Sequence, residues 1–262
     1  MEIRERIMEQ LQKTLVDMDS VHALWLEGAD GLDRVDEYSD IDVWLDVDDG
    51  TEEAILATCL EILRQFGALD FVEVVDHPHP KIFQCNAHIA GTPEFLLLDI
   101  CVQSHSRGSE GCTFVRGDVA EFPLVLFDKA AVVKIIDELQ IPEAEMRSVY
   151  SQCLDTFEQQ SRLRKYLLRR KFLEATAYYG KYVCDPLVTM ARLLHTPRHY
   201  EYHLVHITDH LPTSLVKRLE MLHAVSSLAD MESHLPVANA LFAELQAKLR
   251  EAYPFLVEAA EE

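Results

Sequence analysis

The chain has 262 residues, 48% of them hydrophobic and 26% charged, the make-up of a folded globular protein and not of a disordered or fibrous one. Its 24 Lys and Arg stand against 45 Asp and Glu, a net charge of −21, which repels nucleic-acid phosphates and excludes a DNA or RNA polymer as the main partner. Divalent metals and small cationic molecules suit such a surface.

In chain order, residues 1–12 are charged and helical in period, without the apolar run of a signal peptide. The spacing predicts helices over Ile3–Val16 and Glu53–Phe66. Short β-rich runs fall at Val21–Leu26, Ile41–Val47, Leu69–Val75, Lys81–Ala90, Phe95–Gln103 and Pro123–Phe127. His77-Pro78-His79-Pro80 reads as a rigid loop before a strand. From Glu143 the β pattern ends. Amphipathic runs fill Glu143–Lys181, Pro186–Leu194, Ser214–Ala224 and Pro236–Ala252, interrupted at Pro197, Pro212 and Pro236. The charge changes at the same place: residues 1–140 hold 29 acids and 10 bases, residues 141–262 hold 16 and 14. These shifts predict an α+β domain over 1–140 and an all-helical domain over 141–262, joined at Gln140-Ile141-Pro142. Six scattered cysteines without a C-x-x-C pair read as reduced thiols of a cytoplasmic protein. No run of eighteen apolar residues offers a membrane span.

The most informative stretch runs from Leu26-Glu27-Gly28-Ala29-Asp30-Gly31 to Ser39-Asp40-Ile41-Asp42-Val43-Trp44-Leu45-Asp46-Val47-Asp48. From residue 40 the alternation is strict, so Asp40, Asp42, Trp44, Asp46 and Asp48 face one way and the aliphatic residues between them face the other. Asp40 and Asp42 then sit about 7 Å apart on one face. Their repulsion is relieved by a shared divalent cation, and Mg²⁺ suits carboxylates combined with phosphate oxygens. A solvated acidic face is the alternative. Asp46 shares the face with Asp42 but lies about 14 Å from it, so its loss is expected to be nearly silent. A later apolar run, Phe95-Leu96-Leu97-Leu98-Asp99-Ile100-Cys101-Val102, carries a lone acid, Asp99, costly inside such a strand unless paired or metal-bound.

An apolar strand ending in Gly28, a turn-rich loop, Ser39-Asp40-Ile41-Asp42 and a third acid at Asp99 together resemble the nucleotidyltransferase superfamily, the DNA polymerase beta-like fold. Ala29 stands where that family usually has Ser. A transferase domain followed by a helical one is similar in layout to the lincosamide and aminoglycoside nucleotidyltransferases. The resemblance implies a mixed sheet with flanking helices, and transfer of AMP from ATP, or of another nucleoside monophosphate, to a hydroxyl of a small molecule. It implies Mg²⁺ on Asp40, Asp42 and Asp99, and phosphate contacts from Gly28, Ala29 and Ser39. It also points to a general base in the helical domain, for which Glu174 is the candidate.

Two further signals come from the residues alone. Arg162, Arg164, Lys165, Arg169, Arg170 and Lys171 fall within ten residues without an acid. On a helix Arg162, Lys165 and Arg169 share a face, which is either solvated or grips a triphosphate. His199, His203, His206 and His210 make one helical stripe that packs at an interface or lines an acceptor pocket beside Tyr200 and Tyr202. Two other functions stay open: a protein-adenylylating nucleotidyltransferase of the antitoxin type, and a non-catalytic nucleotide-binding protein.

Overall fold

The computed structural model describes residues 3–257. The chain divides into two compact units, residues 1–139 and 140–262. The first is a mixed α+β layer structure. Its elements are α1 (Ile3–Leu15), β1 (Val21–Leu26), a single helical turn α2 (Gly28–Gly31), β2 (Ile41–Val47), α3 (Glu52–Arg64), β3 (Leu69–Val75), β4 (Ile82–Ile89), β5 (Leu98–Ser104), β6 (Thr113–Val115), β7 (Leu124–Asp128) and β8 (Lys134–Ile136). Six strands form one sheet in the order β3-β4-β5-β2-β1-β7. β2 and β5 run parallel, and the other neighbours are antiparallel. The parallel pair is possible because α3, β3 and β4 intervene and supply the crossover.

Alternation divides the sheet into two faces. Ile41, Val43, Leu45 and Val47 of β2 pack with Ile7, Leu11 and Leu15 of α1 and Ile55, Cys59, Ile62 and Leu63 of α3. Each helix presents an apolar stripe at 3.6-residue spacing, so burying it against the sheet fixes both helices there. The other face carries Trp25 and Trp44, stacked at 5.9 Å, against a smaller cluster of Ala23, Cys112, Phe114 and Val132. Phe114 of that cluster belongs to β6, which pairs with β8 in a separate two-stranded parallel sheet that no sequence pattern announces.

The second unit is helical: α4 (Glu143–Glu158), α5 (Ser161–Leu168), α6 (Phe172–Tyr179), α7 (Asp185–His195), α8 (Ile207–His210), α9 (Thr213–His223) and α10 (Leu228–Ala252). Its core gathers Leu163, Tyr179, Leu187, Val188, Leu222, Leu241, Leu245 and Leu249. The run expected from Glu143 to Lys181 is three helices, broken at Gln159-Gln160 and at Arg170, whose φ is +56°. A five-residue π-helical turn, Gly180–Cys184, links α6 to α7.

Pro236 does not interrupt its segment; it lies inside α10. Proline lacks the N–H that would bond the carbonyl four residues earlier, but that residue is the exposed Glu232, whose carbonyl water can serve. The stripe Met231, Ala238, Leu241, Leu245 and Leu249 is buried along the helix on both sides of the proline. Ser227 caps its start, accepting from the Asp230 N–H at 3.1 Å.

The histidine stripe is also broken. His203 and His206 have φ of +47° and +52°, and only His210 lies in α8. The cause is Arg192, fully buried in α7. Its guanidinium donates to the carbonyls of His203 (2.9 Å) and Val205 (2.5 Å) and to Thr196 Oγ1 (3.3 Å), and meets His210 Nδ1 at 2.8 Å. A helix would keep those carbonyls for itself. Among the described residues, no helix is long and apolar enough to cross a membrane, and all six cysteines are free and buried.

Candidate active site on the central sheet

The polar face of the sheet is arranged in rows. Asp42 pairs in register with Asp99 on the adjacent parallel strand, Trp44 with Cys101, and Asp46 with Gln103. On the other side Trp25 of β1 lies opposite Trp44. The row with two carboxylates sits where β2 and β5 begin and β1 ends, next to Gly28.

Gly28 is required there by geometry. Its φ is +57°, and a Cβ on it would fall 1.9 Å from Asp42 Oδ2. Only a residue without a side chain lets the turn after β1 approach this carboxylate. Glu27 ties the turn to β2 through its N–H, which donates to the Asp42 carbonyl at 3.1 Å. Gly28, Ala29 and Asp30 form the first turn of α2, whose N–H groups have no partner within the helix.

Arg4 of α1 fixes the loop between α2 and β2. Its guanidinium donates to the Ser39 carbonyl at 2.9 Å and forms a buried ion pair with Asp30. Ser39 Oγ accepts from the Asp36 N–H at 2.9 Å and donates to Asp36 Oδ1 at 2.8 Å, so the hydroxyl is used within its own turn. Gln84 on β4 donates to both oxygens of Asp99 at 2.8 Å and sets that carboxylate's orientation.

Burial pushes the Asp42 carboxyl up to about 7, helped by the negative charges of Asp40, Asp99 and Asp30 and opposed by Arg4. Glu27 is likewise pushed up to about 7. Burial is the main cause, and Glu121 and Asp42 add to it, while a 2.8 Å hydrogen bond from Trp25 Nε1 opposes it. Asp40 is exposed, whereas Asp42 and Asp99 are half-buried. The three carboxylates share a face and an end of the sheet, but their oxygens do not close to within 4.8 Å of one another as a set. Arg4, Glu27 and Gln84 carry no sequence signal of their own: each joins the site only through strand pairing or helix packing.

Asp46 departs from the expectation of a solvated acid. It is 1% exposed, accepts from Gln103 Nε2 at 2.7 Å and contacts His105 Nδ1 at 2.5 Å. Alternation gave its face correctly but not its depth, because depth depends on the partners that meet it, Gln103 of the neighbouring strand and His105 of the turn after β5. Asp46→Ala is therefore expected to cost about 1–3 kcal/mol by stranding a buried amide, read as a lowered denaturant midpoint.

The remaining predicted residues belong to the helical unit. Arg162 and Lys165 are exposed on α5, with Arg162 over the Tyr182 ring (5.8 Å) and Lys165 over Tyr166 (4.8 Å). Arg169 is exposed at the C-cap of α5. Glu174 is exposed in the first turn of α6, 3.5 Å from Lys171 Nζ. The same unit contains a cleft of about 520 Å³ whose lining includes Gln152, Lys181, Asp185, Tyr200, Glu201 and His203. His203 Nε2 lies 3.4 Å from Asp185 Oδ1, and Tyr200 Oη donates to Glu145 at 3.1 Å.

No protein-family model and no curated protein matches the chain. Among solved structures it is similar to an aminoglycoside 6-adenyltransferase from Bacillus subtilis, with 14% identity over 96% of this chain and 91% of that one and a TM-score of 0.40. It is also similar to a nucleotidyltransferase-like protein from Exiguobacterium sibiricum, with 12% identity over 95% and 75% of the two chains and a TM-score of 0.31. A third likeness is to a protein from Helicobacter pylori, with 12% identity over 96% and 95% and a TM-score of 0.29.

Proposed function

We propose that this chain is a Mg²⁺-dependent nucleotidyltransferase that moves AMP from ATP onto a hydroxyl of a small cationic acceptor and releases pyrophosphate. The observation that carries the reading is the Asp42–Asp99 pair, in register on adjacent parallel strands, with Asp40 two residues earlier on the same face and Gly28 closing over Asp42.

The chemistry of the donor set fits the metal, and the three carboxylates must draw together to share it. Three carboxylates offer hard oxygen ligands, and the upward shift of Asp42 reflects negative charge crowded where burial makes it costly. Asp40, Asp42 and Asp99 would hold Mg²⁺, which when bound neutralises phosphate charge and lowers the pKa of the acceptor hydroxyl. The protein's own part is positioning, the main demand of this chemistry. Arg4 holds the loop that carries Asp40, and Gln84 holds Asp99. The N–H groups after Gly28 offer phosphate oxygens the backbone donors that remain where Ala29 supplies no hydroxyl. Tyr38 and Phe95, an exposed edge-to-face pair, offer a flat apolar surface to a nucleobase. Glu174 is the proposed acceptor of the hydroxyl proton.

In the helical unit, the cleft edged by Asp185, Glu201 and Tyr200 suits an acceptor carrying amines and hydroxyls. Arg162, Lys165 and Arg169 are the proposed grip on the triphosphate. Arg169→Gln is then expected to weaken ATP binding about ten- to a hundredfold, the worth of a charge-assisted contact of roughly 1.5–3 kcal/mol. A solvated arginine changes affinity by under about 0.5 kcal/mol; unchanged Kd at low ionic strength, where screening is weakest, assigns the helix to solvent.

Calorimetric titration with ATP, with and without Mg²⁺, tests the reading, followed by pyrophosphate release over a panel of aminoglycosides, lincosamides and sugars. Metal-dependent binding and release with one acceptor class are expected. Nucleotide binding that ignores Mg²⁺ rejects the metal-site argument.

A further inference from the structure

At the opposite end of β2 from Asp42, about 13 Å away along the strand, a second polar cluster takes no part in the proposed reaction. His22 comes from β1, Asp46 from β2 and His105 from the turn after β5. A ring nitrogen of each histidine and a carboxylate oxygen of Asp46 lie within 4.8 Å of one another. The two imidazoles are 4.4 Å apart between centroids and tilted by 46°.

Two further observations point to a ligand. The Asp46 side chain is 1% exposed, yet it is turned toward a histidine that is half exposed rather than toward a fixed cation. Its second oxygen is held by Gln103 Nε2 at 2.7 Å, and the Gln103 amide is oriented in turn by Arg107 Nη1 at 2.5 Å. Asp48 Oδ1 lies 2.8 Å from His22 Nε2, placed either to orient that ring or to join the set. Hydrogen-bonded carboxylates and amides outside the ligating atoms are what hold imidazole and carboxylate ligands in position. Asp49 adds a third acid nearby, accepting from the Ser106 N–H at 2.9 Å.

We propose that His22, Asp46 and His105 form a binding site for a borderline divalent cation of the zinc class. Two imidazoles and one carboxylate suit Zn²⁺, Co²⁺ or Ni²⁺ and not Mg²⁺, which prefers oxygen ligands throughout. Bonds of about 2.0–2.2 Å require the His105 ring to draw back slightly from Asp46, and its half-exposed place at the start of a turn permits that. The bound cation would tie β1, β2 and the end of β5 together at one point. It would act as a structural clamp on the strands that carry Glu27, Asp42 and Asp99 at their other ends.

The test is titration of the metal-stripped full-length protein with Co²⁺ in excess Mg²⁺, which saturates the all-oxygen site. The expected result is one Co²⁺ bound with the visible d–d bands of a low-coordinate nitrogen–oxygen site, displaced by Zn²⁺. His105→Gln should weaken binding at least about tenfold, the His22→Gln/His105→Gln double variant should lose it, and Asp42→Asn should retain it. Absence of Co²⁺ bands in the wild type, their survival in the double variant, or their loss in Asp42→Asn overturns the assignment. Should the double variant fail to fold, the imidazole ¹⁵N shifts of the wild type decide: Zn²⁺ must move His22 and His105 together, and unmoved resonances overturn the site.

Discussion

Asp42→Asn is expected to abolish nucleotidyl transfer while raising the stability of the metal-free protein. Loss of one preorganised electrostatic contact in an active site costs about 2.7–4 kcal/mol, or 10²–10³ in rate, and loss of a ligand to the catalytic metal should cost at least as much. Asn keeps the size of Asp42 and removes a charge that burial, Asp40, Asp99 and Asp30 all make unfavourable. The gain should be on the order of 1 kcal/mol, or roughly 2–4 °C in Tm. Pyrophosphate release and thermal melting in chelator check both halves. An inactive variant that melts early has merely misfolded, and one with wild-type turnover removes Asp42 from the mechanism.

Gly28→Ala should be nearly as damaging to turnover, by a different route. The new methyl would lie 1.9 Å from Asp42 Oδ2, so the carboxylate must rotate out of line with Asp99. A left-handed conformation adds about 1–2 kcal/mol for any residue with a Cβ. Gly50 separates the two effects. Its φ is +86°, but a Cβ there meets nothing within 4 Å, so Gly50→Ala should lose stability and keep full activity. If Gly28→Ala also keeps activity, the close approach of this turn to Asp42 has no catalytic meaning.

Much of this was legible in the sequence, for identifiable reasons. β1, β2 and β3 fall at the β-rich runs read from the sequence, because each is at least six residues long and bounded by turn formers. β6 and β8, three residues each, are too short to show a period, so the packing of Phe114 with Trp25 could not be anticipated. Alternation says which face a side chain takes and nothing of how deep it lies; Asp42 and Asp46 look alike in the sequence and differ in burial for that reason. Glu27, Gln84 and Arg4 are silent for a related cause: their meaning depends on which strand or loop packs beside them. The expected histidine stripe failed because a buried arginine can outbid a helix for its carbonyls, which no spacing rule encodes.

The chain's two tryptophans both belong to the first unit, stacked across β1 and β2. The helices that dominate far-ultraviolet circular dichroism lie mostly in the second. Each unit therefore carries its own optical label. Intrinsic fluorescence will report the opening of the strand pair that joins the carboxylate row to the histidine cluster, and ellipticity near the helical minimum will follow the other unit. A single denaturant titration observed both ways will reveal whether the two melt as one cooperative body. Any metal-induced change in emission can be assigned to the sheet without engineering a probe.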